Sequence, residues 1–157
     1  MRHIKAVADE NQTSFPLAIV VSRFNRAITH ELLQGALKRL QACGFSEQDI
    51  LVVEVPGAIE IPLIIKCLAK QNDHKVIIAL GAVIRGETSH YDYVCQQVSE
   101  GCQRVALEFD IPVIFKVLTT ENEAQAWDRL GGKHGHSGVD AVDCALAMHN
   151  ILQAVCK

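Results

Sequence analysis

The sequence predicts an α/β fold, a three-layer α/β/α sandwich on a four-stranded parallel sheet, and three observations predict it. Short unbroken apolar runs, Leu17-Ala-Ile-Val-Val-Ser22 the clearest, read as strands covered on both faces. Between them lie stretches whose apolar residues recur at three- and four-residue steps, the period of amphipathic helices. The chain has 157 residues, enough to bury one real core and few enough for a single domain. Parallel strands need crossovers, and the right hand of those crossovers puts helices on both faces. Ligands of such sheets bind beyond the carboxyl ends of the strands.

The elements follow in order. After Pro16 comes the first strand, Leu17 to Ser22. Asn25 stands where its side chain can cap the next helix, whose stripe is Ile28, Leu32, Leu33, Ala36, Leu37 and Leu40 and which Gly44 ends. Ile50 to Val55 reads as the second strand. Beyond Pro56-Gly57 a helix carries Ile61, Ile64, Ile65 and Leu68, with Pro62 tolerated in its first turn. The third strand is Val76 to Leu80, open to extension to Ile84, and runs into a turn marked by Gly81 and Gly86. A helix starts near Thr88-Ser89, with Ser89-x-x-Asp92 in the form of a capping box. Its stripe is Tyr91, Val94, Cys95, Val98, Cys102, Val105 and Phe109. Pro112 to Leu118 is the fourth strand. A short helix from about Glu121 to Arg129, a Gly/His-rich loop (GGKHGHSG) and a last helix complete the chain. That helix carries Val139, Val142, Leu146, His149 and Leu152, with Ser137 as N-cap. Residues 1–15 read as an N-terminal arm of a domain spanning 1–157.

Composition removes several function classes. A net charge of −3, one Trp and two Tyr leave no basic face interleaved with aromatics, so nucleic acid is not a partner. No segment approaches the ~20 apolar residues of a membrane helix, and MRHIKAVADENQTSF lacks the apolar stretch of a signal peptide. The six cysteines form no CxxC pair and fall mostly on apolar helix faces, the pattern of buried reduced thiols in a cytoplasmic protein. His134, His136 and Cys144 have no further ligand at metal spacing, and no GxGxxG, GxxxxGK[ST] or GxSxG occurs.

The residues with chemistry gather at strand ends. The segment GAVIRGETSHYDYVC (81–95) joins a strand to a helix whose first turn offers unpaired N–H groups and partial positive charge to an anion. Arg85, two hydroxyls and His90 sit there, which suggests a phosphorylated substrate and acid–base chemistry. A helix N-terminus disfavours imidazolium and a bound phosphate favours it, so His90 is open to both a catalytic and a surface reading. Phe24, in the polar SRFN turn, is either a platform for a flat ring or folded back on the core. Glu60 is either a helix-start charge or a hydroxyl binder. Arg85 and Arg129 are candidates for holding phosphate, with solvation the plain alternative.

Taken together, SRFN (22–25), VPGAIEIP (55–62), GAVIRGETSHYDYV (81–94), IPVIFKVLTTEN (111–122) and DRLGGKHG (128–135) make the chain resemble the 6,7-dimethyl-8-ribityllumazine synthase family, from about Ala18 to the last helix. The resemblance implies a flavodoxin-like sheet and a transferase of riboflavin biosynthesis that uses neither metal nor organic cofactor. Its substrates would be 5-amino-6-(D-ribitylamino)uracil and 3,4-dihydroxy-2-butanone 4-phosphate, and it would release phosphate and water. Phe24 would stack on the pyrimidine, Ala58, Ile59 and Glu60 hold the ribityl chain, and Val83 and Ile84 border the ring. Gly86, Glu87 and Thr88 would bind phosphate, and His90 would transfer protons. Phe115 and Arg129 would come from the neighbouring subunit of a pentamer, Arg129 pairing with the phosphate. Decamers and 60-subunit shells are further implied forms, and riboflavin synthase an implied partner.

Three positions depart from the family pattern. Ile59 stands where many relatives have an aromatic residue, and Lys116 where glycine is usual. Ser137, counted without gaps from Arg129, stands where a lysine near the pyrimidine is common, and Lys133 matches a different lysine. Two rivals remain. A flavodoxin-like binding module would leave His90 beside an anion site unexplained. A mainly structural shell is permitted by the loop GGKHGHSG, which carries no insertion.

Overall fold

The computed structural model of the chain describes residues 1–9 and 11–156. Four parallel strands, β1 (Leu17–Ser22), β2 (Ile50–Val55), β3 (Val76–Ile84) and β4 (Val113–Thr120), form one sheet in the order β2-β1-β3-β4. The helices are α1 (Arg26–Ala42), α2 (Ile61–Gln71), α3 (His90–Phe109), α4 (Glu123–Asp128) and α5 (Ser137–Val155). The three-layer α/β/α sandwich is therefore the observed architecture.

The two-residue period of a strand explains why central strands are apolar throughout. Leu17, Ile19, Val21, Ile78 and Leu80 lie under α1 and α5, whereas Ala18, Val20, Ile77 and Ala79 lie under α2 and α3. Each such large side chain contributes roughly 1.5–3 kcal/mol by leaving water. β2 and β4 are edges, and polar or exposed residues return there.

Helices α1 and α5 approach closely because their facing residues are small. A Cβ on Gly138 would overlap the carbonyl oxygen of Leu32, and one on Gly35 would run into the His136 ring. The buried stripe of α5 is Ser137, Gly138, Ala141, Val142, Ala145 and Leu146. Of the residues expected there, Val139, His149 and Leu152 are only half-buried.

Several local expectations are corrected. Asn25 occupies the N-cap position of α1, but in the left-handed region, with φ 58°. Its side chain makes no cap; Nδ2 donates to the Ala82 carbonyl (2.9 Å), beyond the last rung between β1 and β3. The Ser89–Asp92 capping box does not form, since Asp92 pairs with Arg85 and Ser89 makes no cap bond. The cap of α5 is His136, whose Nδ1 accepts from Gly138 N (3.1 Å), so Ser137 is inside the helix. Gly81 belongs to β3 rather than to a turn. The Gly/His-rich stretch is no open loop: β5 (Leu130–Gly132) and β6 (Gly135–His136) pair as a small antiparallel hairpin. Of the six cysteines only Cys43 and Cys102 are buried; Cys95 is half-buried, and Cys67, Cys144 and Cys156 are exposed. Burial pushes the Cys102 thiol up to about 12, which makes it inert.

Residues 1–9 and 11–16 form no helix or strand. They run over the end of α5: Arg2 donates to the Ala154 carbonyl (3.2 Å), and Asn150 donates to Gln12 (3.0 Å). Phe15 stacks on His149, with centroids 3.9 Å apart, and meets Phe45 edge-on. Among the described residues no helix is long and apolar enough to cross a membrane.

Candidate active site

Neighbouring strands β1 and β3 send their chains in opposite directions, β1 through α1 to β2 and β3 through α3 to β4. Because α1 and α3 cover opposite faces, the loops after β1 and β3 part and leave a crevice at the carboxyl ends. Ser22 lies at the crevice end of β1, 1% exposed, and among the described residues its hydroxyl has no hydrogen-bond partner. A Cβ on Gly81 would sit 2.9 Å from that hydroxyl, which explains the glycine.

The first wall is the turn after β1. Its backbone is pinned to the neighbouring turn, Arg23 N donating to Val55 O (2.8 Å) and Phe24 N to Pro56 O (3.0 Å). Phe24 is thereby 70% exposed, which overturns the reading that it folds back on the core. An aromatic face held open in this way can receive a flat ring.

The second wall is a 3-10 turn over residues 58–60. Ala58 is buried, whereas Ile59 and Glu60 are exposed. Glu60 stands at the N-cap position of α2 without a side-chain cap bond, so its carboxylate is free for a polyol. Its Oε2 lies 2.9 Å from where a Cβ on Gly57 would be, and only glycine leaves it that room.

The third wall is the five-residue link 85–89 between β3 and α3. Val83 and Ile84 are half-buried at the strand end, and Gly86, Glu87, Thr88 and His90 are exposed. A cap-like bond runs from His90 N to Thr88 Oγ1 (3.3 Å). Among the described residues, the amides of Gly86, Glu87, Thr88 and Ser89 meet no acceptor, nor does the His90 ring. Four free donors at a helix N-terminus beside an imidazole can hold an anion and move protons near it.

Arg85 does not serve as a free cation. Its Nε donates to Glu121 Oε2 (2.6 Å), its Nη1 and Nη2 to the two oxygens of Asp92 (3.3 and 3.2 Å), and it lies 4.3 Å over the Tyr91 ring. Glu121 first, and Asp92 next, hold its pKa above even the usual guanidinium value. Glu121 and Tyr91 were not recognisable as its partners from sequence. The seven-residue spacing to Asp92 is a weak local signal, but Glu121 meets Arg85 only through the β3–β4 register, which pairs Ile84 with Thr120.

Phe115 and Arg129 are not at this mouth. Phe115 lies opposite Ala79, about 16 Å short of the end of β4 at the usual ~3.3 Å per residue, well away from the carboxyl ends. It is 37% exposed on the edge. With Lys116, Ser137 and the exposed Arg129 it lines an open groove of about 730 Å³ beside β4 and α4. Neither Lys116 nor Arg129 has a carboxylate within ion-pair distance among the described residues. The neighbouring Asp128 is engaged by His134 Nδ1 (2.5 Å) and by Lys133 N (3.0 Å), and the His134 bond in the main holds its pKa down. A carboxylate so occupied leaves Arg129 its charge. His134 and His136 are both committed, and among the described residues no cluster of His, Cys, Asp and Glu could hold a metal.

Comparison with known proteins adds an independent line. The sequence model of a family described as 6,7-dimethyl-8-ribityllumazine synthase matches residues 14–153. Proteins of that name from Coxiella burnetii strains CbuG_Q212 and RSA 493 (Nine Mile phase I) are each 54% identical over 144 residues, covering 92% of this chain and 95% of theirs. That of strain Dugway 5J108-111 matches over the same extent.

Proposed function

The chain belongs to the 6,7-dimethyl-8-ribityllumazine synthase family, and we propose that it joins 5-amino-6-(D-ribitylamino)uracil to 3,4-dihydroxy-2-butanone 4-phosphate, releasing phosphate and water, as a transferase of riboflavin biosynthesis. The observation that carries the reading is the set of free amides at residues 86–89 beside the unpartnered ring of His90, across from an open Phe24. Phe24 stacks on the pyrimidine, Val83 and Ile84 border it, and Ala58, Ile59 and Glu60 hold the ribityl chain. Gly86, Glu87 and Thr88 seat the phosphate at the start of α3.

The chemistry asks for little else. The pyrimidine amine attacks the ketone carbon, and loss of the carbonyl oxygen as water leaves an imine. Removal of the proton on the neighbouring hydroxyl-bearing carbon expels phosphate with the C–O bonding pair and leaves an enol. The enol takes up a proton to become a ketone, and the second nitrogen closes onto that carbonyl with loss of its oxygen as a second water. Every step moves protons, which a single imidazole can relay in turn. The free amides and Arg129 meet the charge on the leaving phosphate. Much of the remaining acceleration comes from holding two substrates together.

Phe115 and Arg129 serve the mouth of an adjacent subunit, since within one chain they line a separate groove at the sheet edge. The working form on this reading is a homopentamer, alone or built into a decamer or a 60-subunit shell, in the cytoplasm. Residues 1–15 are the arm of a single domain, and riboflavin synthase is the protein partner to test. Mixing purified protein with the two substrates tests the reading: phosphate released with a fluorescent lumazine supports it, and binding without turnover defeats it.

A further inference from the structure

We infer that Arg85 is a positioning residue for the phosphate loop, a brace that fixes the free amides of residues 86–89 without itself touching the substrate; this rests on the function proposed above. The link is short of other support. Residues 85–90 are all exposed, a Cβ on Gly86 would meet nothing, and the β3–β4 ladder ends at Ile84 and Thr120. Among the described residues, a single backbone bond continues past this end of the ladder, Arg85 N to Thr120 O (2.9 Å). From this point the Arg85 side chain reaches both bodies that flank the loop. Through Asp92 and the Tyr91 ring it holds the first turn of α3, and through Glu121 it holds the turn leading into α4.

The far end of the brace is itself anchored. Glu121 N donates to Gln125 Oε1 (2.8 Å), and Asn122 Oδ1 accepts from Gln125 N (2.9 Å), so the acid sits on the capped start of α4. A planar fork that bonds two carboxylates along different edges defines an orientation, which a lysine's point charge cannot reproduce. The charge count excludes the simpler role. One guanidinium shared by two carboxylates leaves that cluster net negative, so it attracts no phosphate. Its use is geometric, and small misplacements of oriented donors are expensive in transition-state binding.

The two roles predict opposite signs. If Arg85 were a phosphate ligand, Glu121→Gln and Asp92→Asn would free its charge and lower the KM for the phosphate-bearing substrate, and Arg85→Lys would keep most affinity. For a brace, all three substitutions raise that KM, by about tenfold for Arg85→Lys, with the KM for the pyrimidine unchanged. Native mass and melting temperature, measured on each variant, confirm that assembly and fold persist. A lowered KM in Glu121→Gln, or near-wild-type behaviour of Arg85→Lys, overturns the proposal. Arg129→Ala in the same assay separates the two levels: if it too leaves the phosphate substrate unaffected, the site assignment fails and the brace falls with it.

Discussion

His90 begins α3 directly after the exposed link 85–89, its ring without a hydrogen-bond partner among the described residues, and the proposed role fixes what its loss should do. His90→Ala is expected to slow turnover by about ten- to a hundredfold, because proton relay is one contribution beside the larger one of holding two substrates together. Assembly should be retained, since the side chain supports no other element. Steady-state kinetics decides it: an unchanged kcat removes His90 from the mechanism. Arg129 makes a different prediction. Among the described residues its guanidinium has no carboxylate partner and its neighbour Asp128 is already occupied, so Arg129→Ala should weaken the phosphate-bearing substrate about tenfold or more while sparing the pyrimidine. Equal loss for both substrates contradicts that role.

Helices α1 and α5 depend on small residues at their crossing. Gly138→Ala would press a methyl against the Leu32 carbonyl and the Ala36 amide, both backbone groups that cannot turn aside. A loss of about 1–3 kcal/mol is expected, read as a lower denaturant midpoint at unchanged slope. The end of α5 has its own sensitivity. Burial first, and Lys75 next, hold the pKa of His149 below the ordinary 6.5. The unfolded chain therefore binds this proton more readily, so stability present above pH 6.5 is lost as pH falls below it. Melting curves from pH 7.5 down to 5.5 should show a shallower decline for His149→Phe, which keeps the stack on Phe15 without the titration. A wild-type decline equal to the variant's removes His149 as the cause. These elements also show what sequence could convey. Apolar runs and helical periods located every main strand and helix, because burial on a two-faced sheet dictates them. Caps were less legible. Asn25, Ser89 and Ser137 all have capping chemistry, but the Ala82 carbonyl, the Arg85 cluster and the His136 ring decide which groups are used. The mouth was legible where residues are adjacent in sequence, as at 86–90, and illegible where register brings Glu121 to Arg85.

At the scale of the molecule, the residues proposed for the site fall in two places on one chain. The amides, His90 and Phe24 open at the carboxyl ends of β1 and β3, whereas Phe115 and Arg129 line a groove on the far edge, along β4. If each working site combines the mouth of one subunit with the edge of the next, two crippled chains can repair each other. His90→Ala carries an intact edge, and Arg129→Ala an intact mouth. In a randomly mixed homopentamer, half the mouths are intact and half of those face an intact edge, so about a quarter of the sites are whole. Coexpression of the two variants should therefore restore about a quarter of wild-type turnover, measured where the phosphate substrate is scarce and Arg129→Ala alone is slow. Mixing the finished proteins without exchange of subunits should restore nothing. Were each site complete within one chain, every chain in the mixture would lack either His90 or Arg129, and coexpression would give no more than the average of the two variants.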